Sequence, residues 1–275
     1  MLLVTKLLLA PSFVVGASLA ARRFGPRVGG LIAGLPVVAG PILLAYALEH
    51  GKSFAAGAAV GTLLGLVSLI AFVVVYARLS AHAFWGASML GGWLAFAVAT
   101  ALFSSVTLPA GAALAICACG LGLGLLLTPR SRRAEDAAAP AAPPAWDLPM
   151  RAACSLALVL ALTAVAGWLG SRLSGLLAPF PIIATVLATF THAQHGTGEA
   201  QRLLRWLLGG YGAFGLFCFV LAITLRSLGT AAAFGLATAG ALVMQGLIIA
   251  LLRQLPARAG APRAPLARAG SLPRG

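Results

Sequence analysis

Two segments of this 275-residue chain, 25–51 and 170–196, align without a gap, and each carries a proline in the middle of an apolar run. A helix broken within lipid must have its freed backbone groups satisfied by a cavity or by a partner, so a duplicated broken span points to the central site of a transporter. Nine of the 27 positions are identical at a constant offset of 145: Gly25/Gly170, Arg27/Arg172, Gly30/Gly175, Leu31/Leu176, Ala33/Ala178, Pro36/Pro181, Ala39/Ala184, His50/His195 and Gly51/Gly196.

The composition excludes a soluble globular protein. Hydrophobic residues make up 61% of the chain and charged residues 9%, and the mean hydropathy is +1.01. A soluble domain has about half apolar and about a quarter charged residues. The net charge of +14 does not indicate a nucleic-acid partner, because the arginines lie between apolar spans and in the C-terminal tail. The sequence therefore predicts a multi-pass membrane protein whose partner is the lipid bilayer.

The chain offers nine apolar runs of about the 20 residues that a spanning helix needs. The uncharged stretch from Ala83 to Thr128 is too long for one span, so we expect it to fold back at Ser104–Pro109. The nine predicted spans are 2–21, 28–49, 54–77, 83–105, 108–128, 150–170, 173–194, 203–225 and 229–252.

The positive charges predict the orientation, because short cytoplasmic loops retain lysine and arginine. With the N-terminus outside and the C-terminus inside a bacterial cytoplasmic membrane, 15 of the 19 basic residues are cytoplasmic. The four remaining on the outer side are Lys6, Lys52, Arg172 and Arg226. Adding or removing one predicted helix would mix the basic residues between the two sides of the membrane and remove this bias.

The predicted fold is an all-α membrane protein with two four-helix repeats, residues 1–106 and 150–252. Residues 107–128 form an extra helix without a counterpart, which inverts the second repeat in the membrane. Residues 129–149 are expected to be a Pro/Ala/Arg cytoplasmic linker, and residues 253–275 a disordered basic tail.

The interruptions of the second and seventh spans are the predicted substrate path. Proline removes a backbone donor and clashes with the preceding turn, which leaves polar backbone groups facing inward. An ordinary proline kink packed against neighbouring helices is the alternative. The substrate-path candidates are Gly34, Pro36, Gly40, Pro41, Pro179, Pro181 and Thr185.

Charged and titratable residues at the ends of the same spans are coupling or gating candidates. Arg27 and Arg172 could attract an anionic solute at each mouth, or could simply anchor the topology. Histidines and a glutamate at a low-dielectric boundary could carry protons, unless they lie in water-exposed interfacial loops. These coupling candidates are Glu49, His50, His192, Gln194, His195 and Glu199, and of the acidic residues only Glu49 and Glu199 are expected close to a span.

No metal, cofactor or catalytic group is predicted. The four cysteines lie within apolar runs and read as small buried hydrophobic residues. Cys117 and Cys119 form a C-x-C without a second ligand pair nearby.

The repeat unit resembles the GlpM-like (DUF3147-type) family of small bacterial inner-membrane proteins. Gly30-Leu31 with Pro36 to Gly51, and Gly175-Leu176 with Pro181 to Gly196, carry the resemblance. It implies a four-helix unit but no settled activity. This chain departs from the family by fusing two units through an additional helix.

The sequence favours a secondary transporter or exporter of a small organic solute, working by alternating access and possible as a homo-oligomer. An interior almost free of carboxylates disfavours a metal-ion path and favours neutral or anionic solutes. One alternative is a membrane scaffold or regulatory subunit, which would lose function on deletion of residues 254–275 and 131–146. Another is an intramembrane lipid-modifying enzyme, for which the spans lack clustered acid–base groups.

Overall fold

The computed structural model describes residues 2–129, 144–161 and 179–254, and these ranges form nine helices and no strands. The all-α prediction is confirmed for this part of the chain. The helices are α1 (Leu2–Phe24), α2 (Pro26–Ala33), α3 (Ala39–Glu49), α4 (Lys52–Leu79), α5 (Trp85–Phe103), α6 (Ala110–Leu127), α7 (residues 147–161), α8 (Ile182–Thr224) and α9 (Thr230–Gln254).

Five helices, α4, α5, α6, α8 and α9, are long and apolar enough to cross a bilayer. This is the composition of a membrane-embedded protein. The long uncharged stretch folds back where expected, because α5 ends at Phe103 and α6 begins at Ala110. The count of nine spans stays a prediction.

Where the sequence predicted loops between spans, consecutive helices instead join at a glycine with positive φ. Gly51 separates α3 from α4 with φ 88° and ψ 166°. Gly196 interrupts α8 with φ 82° and ψ 177°, so residues 197–202, expected to be a loop, are helical. Glycine adopts this backbone region without steric cost, which lets one residue redirect the chain. The two glycines lie at the offset of 145 and share one conformation.

We expect Gly51→Ala and Gly196→Ala each to lower the free energy of unfolding by about 1–3 kcal/mol, because this φ/ψ region is essentially restricted to glycine. Reversible unfolding in detergent measures the loss. Gly240→Ala in α9 is the control, since its added Cβ would lie 3.8 Å from Leu216 Cδ2, an ordinary contact. Equal behaviour of all three variants would contradict the assigned backbone conformation.

The centre of the bundle is the contact between α4 and the part of α8 after Gly196. Fully buried side chains on both helices, among them Leu63, Phe72, Leu204 and Leu221, form this core. α5 packs along α4, and α9 packs along α8. α6 contacts both central helices, α2 lies on α8, and α3 lies on α4.

One end of the bundle collects arginines. Arg78 Nε donates to the carbonyl of Leu127 at 3.0 Å, which joins the C-terminal ends of α4 and α6. Thr197 Oγ1 donates to the carbonyl of Ser80 at 2.9 Å, so the Gly196 kink lies at the same end. We call the end that holds the Gly196 kink the arginine-rich end, and its arginines are Arg22, Arg27, Arg78, Arg151, Arg202 and Arg205. Gly51 lies at the opposite end of α4.

Candidate functional site

The first break separates α2 from α3 over residues 34–38, where the sequence predicted it. The amide of Leu35 donates to the carbonyl of Ile32 at 3.1 Å, three residues back instead of the four of an α-helix. Pro36 has no amide to donate, while its carbonyl accepts from Gly40 at 2.8 Å. The helical hydrogen-bond pattern is therefore interrupted inside an apolar span, as the proline requires.

Gln245 of α9 satisfies a carbonyl that this break releases. Its Nε2 donates to the carbonyl of Leu31 at 3.1 Å, and the side chain is 7% exposed. Its counterpart at the offset of 145 is Thr100 of α5, which is also buried and polar. Thr100 Oγ1 has no hydrogen-bond partner among the described residues. Buried polar side chains thus lie 145 residues apart in α5 and α9.

Gly34 brings the first break into backbone contact with α8. A Cβ built on Gly34 would lie 2.5 Å from the Cα of Gly210, and one built on Gly30 would lie 2.7 Å from the carbonyl oxygen of Leu203. Small residues allow such close approach of helices in membranes. The break therefore packs directly on α8.

We expect Gly210→Ala to lower the free energy of unfolding by about 1–3 kcal/mol, because overpacking forces backbone shifts. Its Cβ would lie 2.7 Å from Gly34 Cα and 2.8 Å from the Leu31 oxygen, both backbone atoms. Gly212→Ala, two residues along, meets side-chain atoms at 3.7 and 3.8 Å and should be neutral or stabilising. Thermal unfolding in detergent compares the two, and equal midpoints would refute the close contact.

The second predicted interruption, which we call the second break, lies directly before α8. Pro179 and Phe180 are non-helical, and the helix starts at Ile182 with the amide of Thr185 bonded to the carbonyl of Pro181 at 2.7 Å. Thr185 Oγ1 accepts from Trp93 Nε1 of α5 at 3.0 Å. The span N-terminal to Pro179, including Arg172, lies outside the described residues.

The two breaks face each other across a small cavity of about 50 Å³. Its lining is almost entirely apolar and includes Pro179, Pro181 and Tyr211. Eight of its 13 lining residues are pairs separated by 145: Leu35/Phe180, Val38/Ile183, Ala39/Ala184 and Leu69/Phe214. Corresponding residues of the two aligned segments, together with Leu69 and Phe214 at the same offset, therefore meet at one point in the bundle.

Of the predicted substrate-path residues, Pro179 and Pro181 line this cavity. Gly34 instead contacts Gly210, and Gly40 faces the ring of Phe217 at 3.5 Å from its built Cβ. Pro36 and Pro41 lie in or just after the first break, and Thr185 is held by Trp93. The structure thus brings the two interruptions together but assigns most of these residues to packing.

The predicted coupling residues separate into two ends. Glu49 and His50 are exposed where α3 ends, and His50 stacks on Phe54 with ring centroids 4.8 Å apart. Glu199 is helical and forms an ion pair with Arg202, rather than lying in a loop. At the arginine-rich end Arg27 covers the ring of Trp206 at 4.6 Å, His195 is exposed, and His192 and Gln194 make side-chain hydrogen bonds.

Asp147 is the functional residue that sequence reasoning missed. It was assigned to the linker, but it begins α7 and its side chain is 0% exposed. Arg22 of α1 and Gln194 of α8 both donate to its carboxylate, and Arg151 Nε donates at 2.8 Å. The available signal was an acidic residue four positions before an arginine at the start of an apolar run. Asp147 therefore adds a third carboxylate to the two expected near spans.

The charge of Asp147 is stabilised by these partners. Burial alone would raise the pKa of its carboxyl, but hydrogen bonds from Gln194, Arg151 and Arg22, with the charge of Arg151, outweigh burial and lower the pKa. Asp147 is thus an ionised clamp between three helices and is not suited to carry protons near neutral pH.

Protein-family models, curated proteins and solved structures were compared with the chain, and none matches it.

Proposed function

We propose that this protein is a secondary transporter of a small organic solute across the cytoplasmic membrane, working by alternating access of two inverted repeats. The observation that carries the proposal is the cavity between the two breaks, lined by four residue pairs at one offset. Transporters built from inverted repeats bind solute near mid-membrane, where discontinuous helices of the two repeats meet.

The packing supports two inverted copies. The α4–α5 contact corresponds to the α8–α9 contact, and α6 has no counterpart. Gly51 and Gly196 share one conformation, yet Gly196 lies at the arginine-rich end and Gly51 at the opposite end. In this proposal α6 inverts the second repeat, the bundle crosses the membrane nine times, and each repeat is a fused copy of a small four-helix unit.

The size of the cavity supports an occluded state. Its volume of about 50 Å³ has room for one or two water molecules, since each takes about 30 Å³ in the liquid. A solute would enter only after the two breaks separate at one end of the bundle. A lining without a carboxylate among its described residues suits a neutral or anionic organic solute better than a metal ion.

Flux into proteoliposomes tests the proposal. The probes are labelled carboxylates, amino acids, sugars and quaternary-ammonium dyes, each under an imposed proton or sodium gradient. We expect gradient-driven flux of at least one probe. No movement of any probe, with correctly folded protein, would contradict transport.

Matched variants link that flux to the cavity. Ala39 and Ala184 are equivalent cavity residues, 4% exposed each. Ala39→Leu or Ala184→Leu should fill the cavity and reduce flux at least tenfold, while Ala118→Leu on the exposed face of α6 should leave flux unchanged. Loss of function on removal of residues 254–275 and 131–146, with cavity variants unaffected, would favour the scaffold alternative.

A further inference from the structure

A directed chain of hydrogen bonds joins the two repeats at the arginine-rich end. The Tyr76 hydroxyl lies 3.5 Å from His192 Nδ1, and His192 Nε2 lies 3.3 Å from Thr197 Oγ1. Thr197 Oγ1 in turn donates to the carbonyl of Ser80 at 2.9 Å. Tyr76 and Ser80 belong to α4, and His192 and Thr197 belong to α8.

The chain has a direction because its last acceptor is a carbonyl. Thr197 uses its single hydroxyl proton on Ser80, so its oxygen must accept from His192 Nε2–H. In neutral His192 the proton is then on Nε2, and Nδ1 is an unprotonated base that accepts from Tyr76.

The site has an alternative arrangement for the protonated state. When Nδ1 carries a proton, that proton points at the Tyr76 oxygen, so the Tyr76 hydroxyl proton must rotate towards another acceptor. The oxygen of Thr189, one turn before His192, is within reach of the Tyr76 hydroxyl. Thr189 Oγ1 is buried and has no hydrogen-bond partner among the described residues. Thr189 Oγ1 can therefore accept the rotated Tyr76 hydroxyl proton.

This polar contact exists at one end of the bundle. Gln201 Nε2 of α8 adds a hydrogen bond to the carbonyl of Ala77 in α4 at 3.0 Å. At the offset of 145, the opposite end has apolar residues in the corresponding positions: Leu221 for Tyr76, Ala47 for His192 and Ala56 for Gln201. Protonation of His192 would therefore act on the α4–α8 contact at the arginine-rich end alone.

Other titratable groups near His192 are paired, face elsewhere or, like His195 three residues further along α8, are exposed. Tyr76 is the titratable group of α4 that faces the ring. Along α8, Glu199 is paired with Arg202. Asp147, with Arg22 and Arg151, reaches α8 at Gln194 and Phe190, about 200° around the helix from His192.

We propose that His192 Nδ1 is a proton-binding site and that its protonation reverses the Tyr76–His192 hydrogen bond at the arginine-rich end. The coupling role rests on the proposed transport function, whereas the proton site itself does not. Proton binding at Nδ1 turns the Tyr76 hydroxyl proton to Thr189, and the Tyr76 oxygen then accepts from Nδ1–H. The polar contact between α4 and α8 is thereby rearranged.

Nitrogen NMR of histidine-labelled protein in lipid nanodiscs tests the site without any solute. The chain has four histidines, so His192→Gln assigns the His192 signals by their loss. We expect Nδ1 to be unprotonated and Nε2 protonated at high pH, and Nδ1 to gain a proton as the pH is lowered while the protein stays folded. A proton on Nδ1 in the neutral form, or an Nδ1 that stays unprotonated until the protein unfolds, would overturn the proposal.

Tyr76→Phe should lower the titration midpoint by about 0.5–1 pH unit, because the protonated form loses its charge-assisted hydrogen bond to the Tyr76 oxygen, which is the stronger of the two bonds. Tyr46→Phe, at the opposite end beside His50, should leave the midpoint unchanged. Thr197→Val removes the acceptor for His192 Nε2–H and should leave both neutral tautomers populated, whereas Thr197→Ser should keep the proton on Nε2. This pair supplies a second test if Tyr76→Phe misfolds. An unchanged midpoint with an unchanged tautomer would refute the network.

Flux separates the two proposals. Transport whose pH dependence is unchanged in His192→Gln would remove the coupling role and leave transport standing. A titrating His192 in a protein that moves no probe would leave the proton site standing and contradict transport.

Discussion

An impermeant maleimide added to intact cells is expected to label His50→Cys fully and His195→Cys only after the cells are permeabilised. Both positions are exposed at the end of a broken span, and they are separated by 145 residues. If the repeats are inverted, equivalent positions lie on opposite membrane faces. The arginine bias predicts that the face bearing His195 is cytoplasmic.

The labelling requires a background in which Cys117, Cys119, Cys154 and Cys218 are replaced. Ser227→Cys and Ala81→Cys are matched controls, exposed at the opposite end and at the arginine-rich end respectively. Ser227→Cys should label with His50→Cys, and Ala81→Cys with His195→Cys. Labelling of His50→Cys and His195→Cys from one side would refute inversion. The reverse pattern would keep inversion and overturn the orientation.

Asp147→Asn is expected to lower the free energy of unfolding by about 3–5 kcal/mol, the cost of removing one partner from a buried ion pair. The Arg151 side chain is 6% exposed, and its hydrogen-bonded counter-charge is the Asp147 carboxylate. Asparagine keeps the shape but not the charge. Unfolding of the purified protein in detergent measures the loss.

The same residue predicts an acid dependence of stability. Because the folded pKa of Asp147 is lowered, the unfolded chain binds the proton more tightly. Its stabilisation is present above the ordinary aspartate pKa of about 4 and is lost as the pH falls below that value. The wild-type protein should therefore lose more stability than Asp147→Asn between pH values of about 5 and 3.

Glu199→Gln is the matched control, because its partner Arg202 is partly exposed and such pairs contribute about 1 kcal/mol or less. Similar losses from Glu199→Gln and Asp147→Asn would show that the Asp147 cluster is not a buried clamp.

Much of the fold follows from local sequence. Apolar length predicted the helices, and the fold-back between Phe103 and Ala110 lies where serine, threonine and proline interrupt the apolar run. Proline predicted the break between α2 and α3 because it lacks a backbone donor wherever it lies, and α8 begins directly after Pro181. The offset of 145 predicted that Gly51 and Gly196 correspond, but not that the chain passes from one helix to the next at these glycines without a longer loop.

The site was predictable only in part. Sequence identified His192 and both breaks, but not the contacts that decide their roles. Tyr76, Asp147 and Gln245 received little or no functional weight, since each acts through a partner more than 100 residues away. Burial of a polar side chain depends on which helix covers it, and the pattern along one segment does not contain that information.

The sequence by itself determined that the chain is an apolar helical protein, where α2 and α3 are separated and which residues of its two aligned segments correspond. These properties depend on side-chain hydropathy and backbone restrictions that act within a few residues. Only the tertiary structure decided that the two breaks meet at one cavity, that Asp147 clamps three helices and that Tyr76 faces His192. Those contacts join distant segments through packing, and packing is set by how all the helices fit together.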